Sequence, residues 1–478
     1  MFLKDYFPNI DKKFEKIFFS GISFHSSKVK KDNIFFAIKG NHNDGNNFIS
    51  IAIQKGCKVI VSEKYHKEFE NRVLFIQTKN VRKLLAQISF KIYNKVPKNI
   101  IAVTGTNGKS SVADFYHQIL KLCNKRSASI GTLGVKSKNI NLNLLNTTVD
   151  PIKLGQILEK IKKHKIDNVI MEASSHGLKQ NRLDGLKFSL GIFTNLSQDH
   201  LDYHKNLKEY LNSKLYLFKH LIKKDGIIVT DHTIPEYNRV IKIAKSKSLK
   251  LLTLNNKKNS FKILSHVFKG ENQIIKLKYG NTTKVINLNL IGKIQLKNIF
   301  MSIIAAEKSN IKLEKILSVI KNLKPVEGRF EKIGKIKNQS KVILDYAHTP
   351  EALKICLLNL KEQFPNNKIT LLFGCGGDRD RNKRSKMGKI AKKYADVVYL
   401  TNDNPRFENP SQIRADIKRG LVKKKIIEIS DRSEAILTAI KNLNTGEILL
   451  VAGKGHEQTQ DIGKKKVFFS DKKIILNA

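Results

Sequence analysis

The chain has 478 residues, and its 89 Lys and Arg against 41 Asp and Glu give a formal net charge of +48. The length suggests about three domains, and a hydrophobic content of 41% is enough to fill their cores. The charge raises the question of nucleic acid, but the lysines are spread from end to end without a basic tail or an arginine-rich segment interleaved with aromatics, which argues against a nucleic-acid partner.

The apolar runs and the cysteines indicate the cellular compartment of the protein. The first residues mix charge with aromatic side chains and lack the uninterrupted apolar segment of a secretory signal, and no later run approaches the roughly 18 apolar residues of a membrane span. The four cysteines lie far apart and form no paired metal motif, which is typical of isolated thiols in a reducing compartment. We therefore expect a cytoplasmic protein without a membrane partner.

Residues 1–97 have the pattern of a small α/β module. Short strand-like runs occupy residues 33–40 and 57–63, with a polar loop from Gly40 to Asn47 between them. Pro97 precedes the next apolar strand and marks a boundary. We predict an N-terminal domain over residues 1–97.

The strand that follows runs directly into a glycine-rich turn, and this order predicts a nucleotide site. Gly105 and Gly108 let the backbone approach a phosphate closely at the positive end of the next helix. Lys109 supplies a point charge for the terminal phosphates, and the hydroxyl of Ser110 is placed to bind the accompanying magnesium. The predicted ATP-binding residues of this turn are Thr104, Gly105, Thr106, Asn107, Gly108, Lys109, Ser110 and Ser111.

This turn is shorter than the common phosphate loop, because only two residues separate its first glycine from the Gly-Lys pair. The alternative is a glycine turn that merely caps a buried strand, but Gly-Lys-Ser directly after an apolar run favours the nucleotide. From Val112 to Cys123, apolar residues recur at three- and four-residue intervals. This spacing predicts a helix with one apolar face.

From there to the C-terminus, apolar runs that end abruptly in polar loops alternate with helical segments. Such runs are typical of buried parallel strands, and the alternation predicts doubly wound sheets with ligands beyond the carboxyl ends of the strands. The runs cover residues 168–177, 190–200, 226–231, 341–350, 368–380, 396–406 and 447–457, with helices at 351–363 and 410–424. We predict an α/β fold with three domains: the small N-terminal α/β module, a central doubly wound ATP-binding domain with the phosphate loop (98–325), and a C-terminal Rossmann-like α/β domain (326–478).

The phosphate loop is the first of nine motifs that extend along the chain. They are TGTNGKSS, NTTVD, MEASSHGL, TNLSQDHLDYH, VEGRFE, DYAHTPEAL, GCGGDRDRNKR, NDNPR and AGKGHE. In this order they resemble the motifs of the Mur ligase family, and the resemblance covers nearly the whole chain. It implies ATP-dependent amide formation, in which ATP phosphorylates a carboxylate and an amine attacks the acyl phosphate. Negative charge accumulates on oxygen throughout, so magnesium and fixed cations are expected to supply the stabilisation.

The resemblance also assigns the metal and catalytic residues. It implies that Glu172 and His200, together with Ser110, bind magnesium, and that Arg329 and Lys109 act on the transferred phosphoryl group. Lys214 aligns with the lysine that these ligases carbamylate, giving N6-carboxylysine. Taken singly, Glu172 and His200 are more typical of a helix cap or a surface hydrogen-bonding group, and Lys214 of a solvated helix position.

Two further ligand sets follow from the resemblance. ATP would also contact Asn298, Arg329, Asp345 and His348. The residues implied for UDP-MurNAc-L-Ala-D-Glu are Ser26, Thr147, Thr148, Ser174, Gln180 and Arg182, with the loop Gly40 to Gly45. The chain departs from the family pattern at three places: His25-Ser26-Ser27 stands for Asp-Ser-Arg, Val149 for a proline, and Ile294-Gln295 for Phe-Asn.

The motif NDNPR bears on the amino acid that is added. Family members that add meso-diaminopimelate carry Asp-Asn-Pro-Arg, and here the four residues are Asp403, Asn404, Pro405 and Arg406. Diaminopimelate differs from lysine by a distal carboxylate, which a guanidinium can bind bidentately. By the same resemblance Arg379, Gly453 and Glu457 complete this site. Lys454 is not expected to serve a second phosphate loop, because no hydroxyl residue follows it.

We therefore expect a monomeric ligase that uses ATP and magnesium to add meso-diaminopimelate to the D-Glu of UDP-MurNAc-L-Ala-D-Glu, in peptidoglycan precursor synthesis. The alternatives are a lysine-adding ligase of the same family, a folylpolyglutamate synthase, and, from another class, a basic nucleotide-dependent nucleic-acid-binding protein. A folylpolyglutamate synthase shares the short phosphate loop but not NDNPR with AGKGHE.

Overall fold

The computed structural model describes residues 1–40, 43–70, 72–255, 262–279, 282–334 and 339–478. Residues 41 and 42 of the loop Gly40 to Asn47 lie outside the described residues. Within the described part the chain forms successive, mostly parallel sheets flanked by helices. The predicted α/β fold is confirmed.

The N-terminal sheet has short strands in the order β1-β2-β3-β5-β4, with β4 antiparallel to its neighbour and the others parallel. Its elements are β1 (Gly21–Ser23), β2 (Asn33–Phe36), α1 (Ile49–Gln54), β3 (Val59–Ser62), β4 (Phe69–Glu70), β5 (Val73–Gln77) and α2 (Val81–Ile92). β2 and β3 are buried throughout, as their apolar runs predicted.

The central sheet has the strand order β13-β12-β11-β6-β10-β7-β8-β9. Its strands are β6 (Asn99–Thr104), β7 (Ser127–Gly131), β8 (Gly134–Ser137), β9 (Asn141–Leu142), β10 (Asn168–Glu172), β11 (Phe188–Phe193), β12 (Ile222–Asp231) and β13 (Lys250–Leu254). Its helices are α3 (Lys109–Leu122), α4 (Pro151–Lys163), α5 (Ser175–Lys179), α6 (Leu207–Tyr216), α7 (Tyr237–Ser246), α8 (Ile294–Glu307) and α9 (Leu313–Val319).

Helices cover both faces of this sheet, as β6 illustrates. Ile101 and Val103 belong to one apolar cluster with residues of α3 and α8, whereas Ile100 and Ala102 belong to a second cluster with residues of α4. Successive side chains of a strand point to opposite faces, so an uninterrupted apolar strand requires cover on both. The carboxyl end of β6 is left at the edge where the phosphate loop begins.

Two regions depart from the predicted parallel pattern. β8 and β9 extend the central sheet in antiparallel pairs, and a separate antiparallel sheet consists of β14 (Lys262–Lys269), β15 (Asn272–Tyr279) and β16 (Thr282–Leu288). Burial alternates with exposure along β15. A search for continuous apolar runs misses such strands, since only one face is buried.

The C-terminal sheet has the order β17-β18-β22-β19-β20-β21, and β23 pairs with β24 in a hairpin. Its strands are β17 (Glu331–Ile333), β18 (Lys341–Asp345), β19 (Ile369–Phe373), β20 (Val397–Leu400), β21 (Ile426–Glu428), β22 (Ile448–Ala452), β23 (Thr459–Ile462) and β24 (Lys465–Phe468). Its helices are α10 (Pro350–Gln363), α11 (Asn382–Tyr394), α12 (Pro410–Lys418), α13 (Arg432–Lys441) and α14 (Asp471–Asn477).

The helix predicted at 410–424 is shorter than expected, since α12 ends at Lys418. Gly420 lies so close to α11 that a Cβ on it would be 2.1 Å from the Ser385 carbonyl oxygen, so the chain turns there. Among the described residues no helix is long and apolar enough to cross a bilayer. The domain boundaries at 97/98 and 325/326 stay predictions.

Candidate active site

The phosphate loop connects β6 to α3, and two glycines determine its path. Gly105 has φ +145° and Gly108 has φ +87°, a region that L side chains rarely adopt. A Cβ on Gly105 would lie 1.8 Å from the Thr194 hydroxyl, and one on Gly108 would lie 2.6 Å from Oδ1 of Asn298. Gly108 is also the N-cap of α3, whose first N–H groups have no intrahelical acceptor. The loop therefore brings the positive end of α3 to the cavity.

The Lys109 ammonium lies inside this loop. Its Nζ donates hydrogen bonds to the backbone oxygens of Gly105 (3.0 Å) and Thr106 (2.8 Å). Burial lowers the pKa of Lys109, whereas the charges of Glu172 and Asp199 act in the opposite direction. The ammonium is thus held by neutral carbonyl groups, and an anion that entered the loop would give it an opposite charge.

Glu172, at the end of β10, is 2% exposed and is surrounded by hydroxyl groups. Its carboxylate accepts hydrogen bonds from Oγ of Ser110 (3.1 Å) and from the N–H (2.8 Å) and hydroxyl (3.2 Å) of Thr132, which itself contacts the hydroxyl of Thr147 (2.9 Å). A buried carboxylate with hydroxyl neighbours fits the oxygen ligands that magnesium prefers. Thr132 is a site residue that the sequence analysis missed, since no motif contains it.

A metal here would need ligands from outside the protein. Among the described residues, no group of three or more His, Cys, Asp or Glu side chains is arranged to hold a metal ion. Magnesium commonly keeps several waters and takes phosphate oxygens as ligands, with only one or two carboxylates from the protein. Ser110 and Glu172 fit that type of site, because their oxygens lie 3.1 Å apart in one cavity, which His200 also lines.

His200 follows β11 with a positive φ of 53°. Its Nε2 lies 3.4 Å from Oδ2 of Asp199, which in turn lies 3.7 Å from Nε2 of His348. Burial lowers the pKa of His200 to about 4, despite the nearby Asp199 charge. Burial alone would raise the pKa of Asp199, but the hydrogen bond and charge of His348 hold it below its ordinary value. The neutral imidazole is the form that binds a metal.

Lys214, on α6, is only 1% exposed. Its Nζ donates to the Gly105 carbonyl (2.7 Å) and lies 4.2 Å from the centre of the Tyr210 ring. Burial and the charge of Lys109 lower the pKa of Lys214 well below its ordinary value. The solvated helix position considered from sequence is therefore wrong, and the environment favours the neutral amine that carbon dioxide requires.

The C-terminal domain closes the cavity from the other side. Nη2 of Arg329 lies 3.4 Å from Oγ of Ser110, and its guanidinium carbon lies 4.3 Å from the Tyr346 ring centre. Asp345 accepts hydrogen bonds from the N–H groups of Phe330 (2.7 Å) and Ala347 (2.7 Å), and burial raises its pKa. Tyr346 stands beside two predicted residues in the same motif but was not itself identified.

Most of the predicted ATP and metal residues meet in this cavity. Those that line it are Thr106, Asn107, Gly108, Lys109, Ser110, Ser111, Glu172, His200, Lys214, Asn298, Arg329, Asp345 and His348. Thr104 ends β6 and is fully buried, and Gly105 contributes its carbonyl oxygen to both lysines. Segments from two different sheets are thus brought to one place.

The residues predicted for the UDP precursor divide between two places. Ser26, Gln180 and Arg182 line a groove between the N-terminal and central domains. Thr147 and Ser174 instead line the cavity at the phosphate loop, which we call the phosphate cavity. Thr148 is 3% exposed; its hydroxyl donates to the Glu172 carbonyl (2.9 Å) and accepts from the Ser174 N–H (3.0 Å). The hydroxyl of Thr148 therefore connects two loops of the protein.

A fully buried lysine organises the predicted amino-acid site. Nζ of Lys454 donates to Oδ1 of Asn404 (2.9 Å), Oε2 of Glu457 (2.9 Å) and the Thr459 carbonyl (2.8 Å). Nδ2 of Asn404 donates to the same Glu457 oxygen (3.0 Å). Lys454 thus fixes the orientation of two predicted site residues and is far too enclosed for a phosphate. The sequence signal that could have identified this role is a lysine between two glycines, three residues before a glutamate, in AGKGHE.

Arg406 lies between the loop after β19 and the β23 hairpin. Its Nη1 donates to the Gly377 carbonyl (2.7 Å), and its Nε is 3.9 Å from Oδ2 of Asp461. Its backbone has φ 51°, and its N–H donates to the Asp461 carbonyl (3.0 Å) of the hairpin. Pro405 directly precedes it and packs against Gly377, where a Cβ would lie 2.0 Å from the Pro405 carbonyl oxygen. The guanidinium is therefore held by a carbonyl at Nη1 and by a longer contact with a carboxylate at Nε, and a ligand carboxylate would approach the remaining N–H groups.

The other predicted residues connect this site to its surroundings. Gly453 has φ +117°, and a Cβ on it would lie 2.6 Å from Oδ2 of Asp403. Nη1 of Arg379 lies 3.3 Å from Oδ2 of Asp202 in the central domain. The Tyr346 hydroxyl, at the edge of the phosphate cavity, donates to Oε1 of Glu457 (3.3 Å). The predicted amino-acid site therefore adjoins the phosphate cavity.

Comparison with known proteins identifies the class of protein that this fold and site define. The chain matches the models of the Mur ligase family catalytic domain (residues 19–93), the Mur ligase middle domain (103–306) and the Mur ligase glutamate ligase domain (328–455). The chain belongs to the Mur ligase family, as its motifs predicted.

Two similar proteins and one solved structure share a name. Over 473 residues, 98% of this chain and 97% of the relative, the chain is 37% identical to the UDP-N-acetylmuramoyl-L-alanyl-D-glutamate--2,6-diaminopimelate ligase of Rickettsia prowazekii (strain Madrid E). It is 36% identical to the protein of that name from Buchnera aphidicola subsp. Schizaphis graminum (strain Sg), with 96% and 94% of the chains covered. A solved structure of the same name has a TM-score of 0.71, 31% identity and 99% and 98% coverage.

A more distant neighbour shows a likeness of fold alone. The structure of Mycobacterium tuberculosis folylpolyglutamate synthase complexed with ADP has a TM-score of 0.64 at 14% identity, covering 78% of this chain and 91% of its own. The fold is thus shared with a protein of low sequence identity.

Proposed function

We propose that this protein is the ligase that adds meso-diaminopimelate to the D-Glu of UDP-MurNAc-L-Ala-D-Glu, with ATP as the energy source. The observation that carries the proposal is the junction at Tyr346. One face of its ring contacts Arg329 in the phosphate cavity, and its hydroxyl donates to Glu457 of the amino-acid site. An activated carboxylate and an attacking amine would meet at such a junction. The names of relatives that match nearly the whole chain support the same reaction.

The first step would transfer the γ-phosphoryl group of ATP to the γ-carboxylate of D-Glu. Lys109 and the amino end of α3 would bind the phosphates, and Arg329 would stabilise the charge of the group in flight. Magnesium, when bound at Ser110, Glu172 and His200, would offset the charge of the phosphates. ADP leaves, and an acyl phosphate remains.

We propose that Lys214 is carbamylated. Its neutral amine would attack carbon dioxide, form a C–N bond and lose one proton, so that a carbamate anion replaces a cation. The carbamate would lie beside Lys109, whose charge adds to burial in lowering the pKa of the unmodified Lys214. Modification would turn that repulsion into attraction and add an anionic group near the predicted magnesium site.

In the second step the amine of diaminopimelate would attack the acyl phosphate and release phosphate. Arg406 would hold the distal carboxylate through the guanidinium nitrogens that Gly377 leaves free, while Glu457 would accept the distal ammonium. Lysine lacks that carboxylate and would leave these guanidinium nitrogens without a ligand. The expected discrimination is on the order of a few kcal/mol.

The test is phosphate release by the full chain with ATP, magnesium and UDP-MurNAc-L-Ala-D-Glu, offering meso-diaminopimelate or L-lysine in parallel, with the product mass measured. We expect turnover with diaminopimelate and a product heavier by that amino acid less one water. Turnover with lysine alone would replace the proposal by the lysine-adding ligase. No turnover, together with salt-sensitive binding of DNA or RNA, would favour the nucleic-acid-binding alternative.

We also propose that the ligase acts in the cytoplasm, where ATP is available, and as a monomer. Its three predicted substrate regions all lie within one chain. Light scattering coupled to size exclusion would test the second point, and a mass of twice 54.4 kDa would contradict it.

A further inference from the structure

The groove lined by Ser26 contains an arginine that no motif assigns. Arg82, in the first turn of α2, and Arg182, which follows α5, both line this groove. One belongs to the N-terminal sheet region and the other to the central domain. The groove therefore has a guanidinium group on each of two domains.

Neutral acceptors hold both groups in place. Nη2 of Arg82 donates to the Lys39 carbonyl (2.9 Å). Arg182 donates from Nε (3.1 Å) and Nη2 (2.7 Å) to Oε1 of Gln180, and from Nη1 to the Thr148 carbonyl. Both side chains are half-buried. Their positions are thus fixed without neutralising their charges.

The nearby carboxylates are engaged elsewhere. Glu63 and Asp150 favour the charged forms of Arg82 and Arg182, respectively, but each accepts a hydrogen bond from the first turn of a helix: Glu63 from the Val81 N–H (3.1 Å) and Asp150 from the Lys153 N–H (2.9 Å). Burial lowers the pKa of both arginines, and the charge of Arg82 lowers that of Arg182 further. Two desolvated cations that repel each other in one groove are stabilised when an anion binds between them.

We propose that Arg82 is a binding residue for the diphosphate of the UDP precursor and acts together with Arg182. The inference rests on the proposed function, which supplies a nucleoside diphosphate substrate. Ser27, which also lines the groove, stands where the family pattern has an arginine. Arg82 supplies a guanidinium to the same groove from a different element, and its planar fork suits two phosphate oxygens.

The experiment compares two probes on the full chain by calorimetry, UDP and uridine, which differ only in the diphosphate. Arg82→Gln keeps a donor for the Lys39 carbonyl but removes the charge, and it should weaken UDP binding about 10- to 100-fold while leaving uridine binding unchanged. Lys83→Ala removes a charge from the neighbouring exposed position of α2 and should change either affinity by less than about twofold. Arg82→Lys, which keeps the charge, should fall between wild type and Arg82→Gln.

A rescue variant separates a ligand contact from a structural role. Adding Ser27→Arg to Arg82→Gln returns a guanidinium to the groove and should restore part of the lost UDP affinity. Equal losses for UDP and uridine, or no loss in Arg82→Gln, would overturn the proposal. If Arg82→Gln does not fold, Arg82→Lys is measured with and without Ser27→Arg. The loss of UDP affinity relative to the loss of uridine affinity then decides in the same way. Neither probe requires turnover. If the ligase assay fails but Arg82→Gln still weakens UDP binding selectively, the proposed reaction is rejected and the diphosphate site is retained.

Discussion

In the phosphate cavity Lys109, Lys214 and Glu172 form their hydrogen bonds with neutral backbone and hydroxyl groups. In the amino-acid site, by contrast, two charged side chains pair with each other. There Lys454 contacts Glu457 at 2.9 Å. Deeper in the same domain, Arg432 forms a fully buried pair with Asp471 at 2.8 Å.

The difference shows in which region bound ligands are needed to balance buried charges. The cavity leaves buried charges that phosphate, metal and carbamate would balance, so its energetics depend on what is bound. The amino-acid site is preorganised by its own side chains, so ligand binding there requires little rearrangement. Substitutions in the two regions should therefore change different properties of the enzyme.

The largest expected effect is at the cavity. Lys109→Ala should lower kcat about 10²- to 10³-fold, because the charge acts on phosphoryl oxygens as the transition state forms. Folding should be retained, since the lysine contacts only carbonyl groups of its own loop. Phosphate release under saturating substrates measures the effect. Lys121→Ala, on an exposed position of the same helix, is the control, and an equal loss there would contradict the assigned role.

A smaller and more selective effect is expected at Arg406. Arg406→Ala should lower kcat/KM for meso-diaminopimelate about 10- to 100-fold, because a charged hydrogen-bonding partner of the distal carboxylate is lost. Any activity with L-lysine, and the KM for ATP, should not change. Parallel assays with both amino acids test this, with Arg419→Ala, a largely exposed arginine of the same domain, as the matched control. Equal losses for both amino acids would remove Arg406 from the specificity site.

Lys454 should reveal how much preorganisation contributes. Lys454→Met leaves Glu457 and Asn404 without their shared donor, so the KM for meso-diaminopimelate should rise about tenfold while the KM for ATP stays constant. The free energy of unfolding should fall by about 3 kcal/mol, as when one partner of a buried pair is removed. Lys464→Met, at an exposed position of the neighbouring hairpin, should change neither quantity. A rise in the KM for ATP would show that Lys454 supports the whole interface instead.

The smallest effect concerns a histidine next to the cavity and the pH dependence of the free energy of unfolding. His204 is fully buried, and in the described structure neither ring nitrogen has a hydrogen-bond partner. Burial lowers its pKa from 6.5 to about 4. The unfolded chain therefore takes up a proton at higher pH than the folded chain, and stability that is complete above pH 6.5 is lost as the pH falls toward 4.

Between neutral pH and pH 5 this single group should cost up to about 2 kcal/mol. His204→Leu should flatten that part of the pH dependence in urea unfolding and cost little at pH 7, because it removes a buried polar ring that has no partner. His232→Asn, at an exposed histidine, should leave the wild-type slope in place. An unchanged slope in His204→Leu would show that other groups cause the acid sensitivity.

Local sequence predicted the phosphate loop well, because its residues are consecutive and its geometry depends on two glycines. The same holds for the apolar runs that became β6, β10, β11 and β22. The antiparallel sheet β14–β16 was missed because β15 alternates buried and exposed residues, β14 has no fully buried residue, and neither forms a continuous apolar run. Lys214 shows the limit most clearly: its own segment reads as an ordinary helix, and its burial depends on Gly105, far away in the chain.

The sequence by itself determined the α/β alternation, the phosphate loop and membership of the Mur ligase family, since these depend on periodicity, on local backbone geometry and on ordered motifs. Tertiary structure alone decided which charges are desolvated and which are paired. Thr132 beside Glu172, Lys454 between Asn404 and Glu457, and Arg82 beside Arg182 each bring together segments distant in the chain. Electrostatic energy depends on distance in space and on burial, and neither quantity can be read from the order of residues.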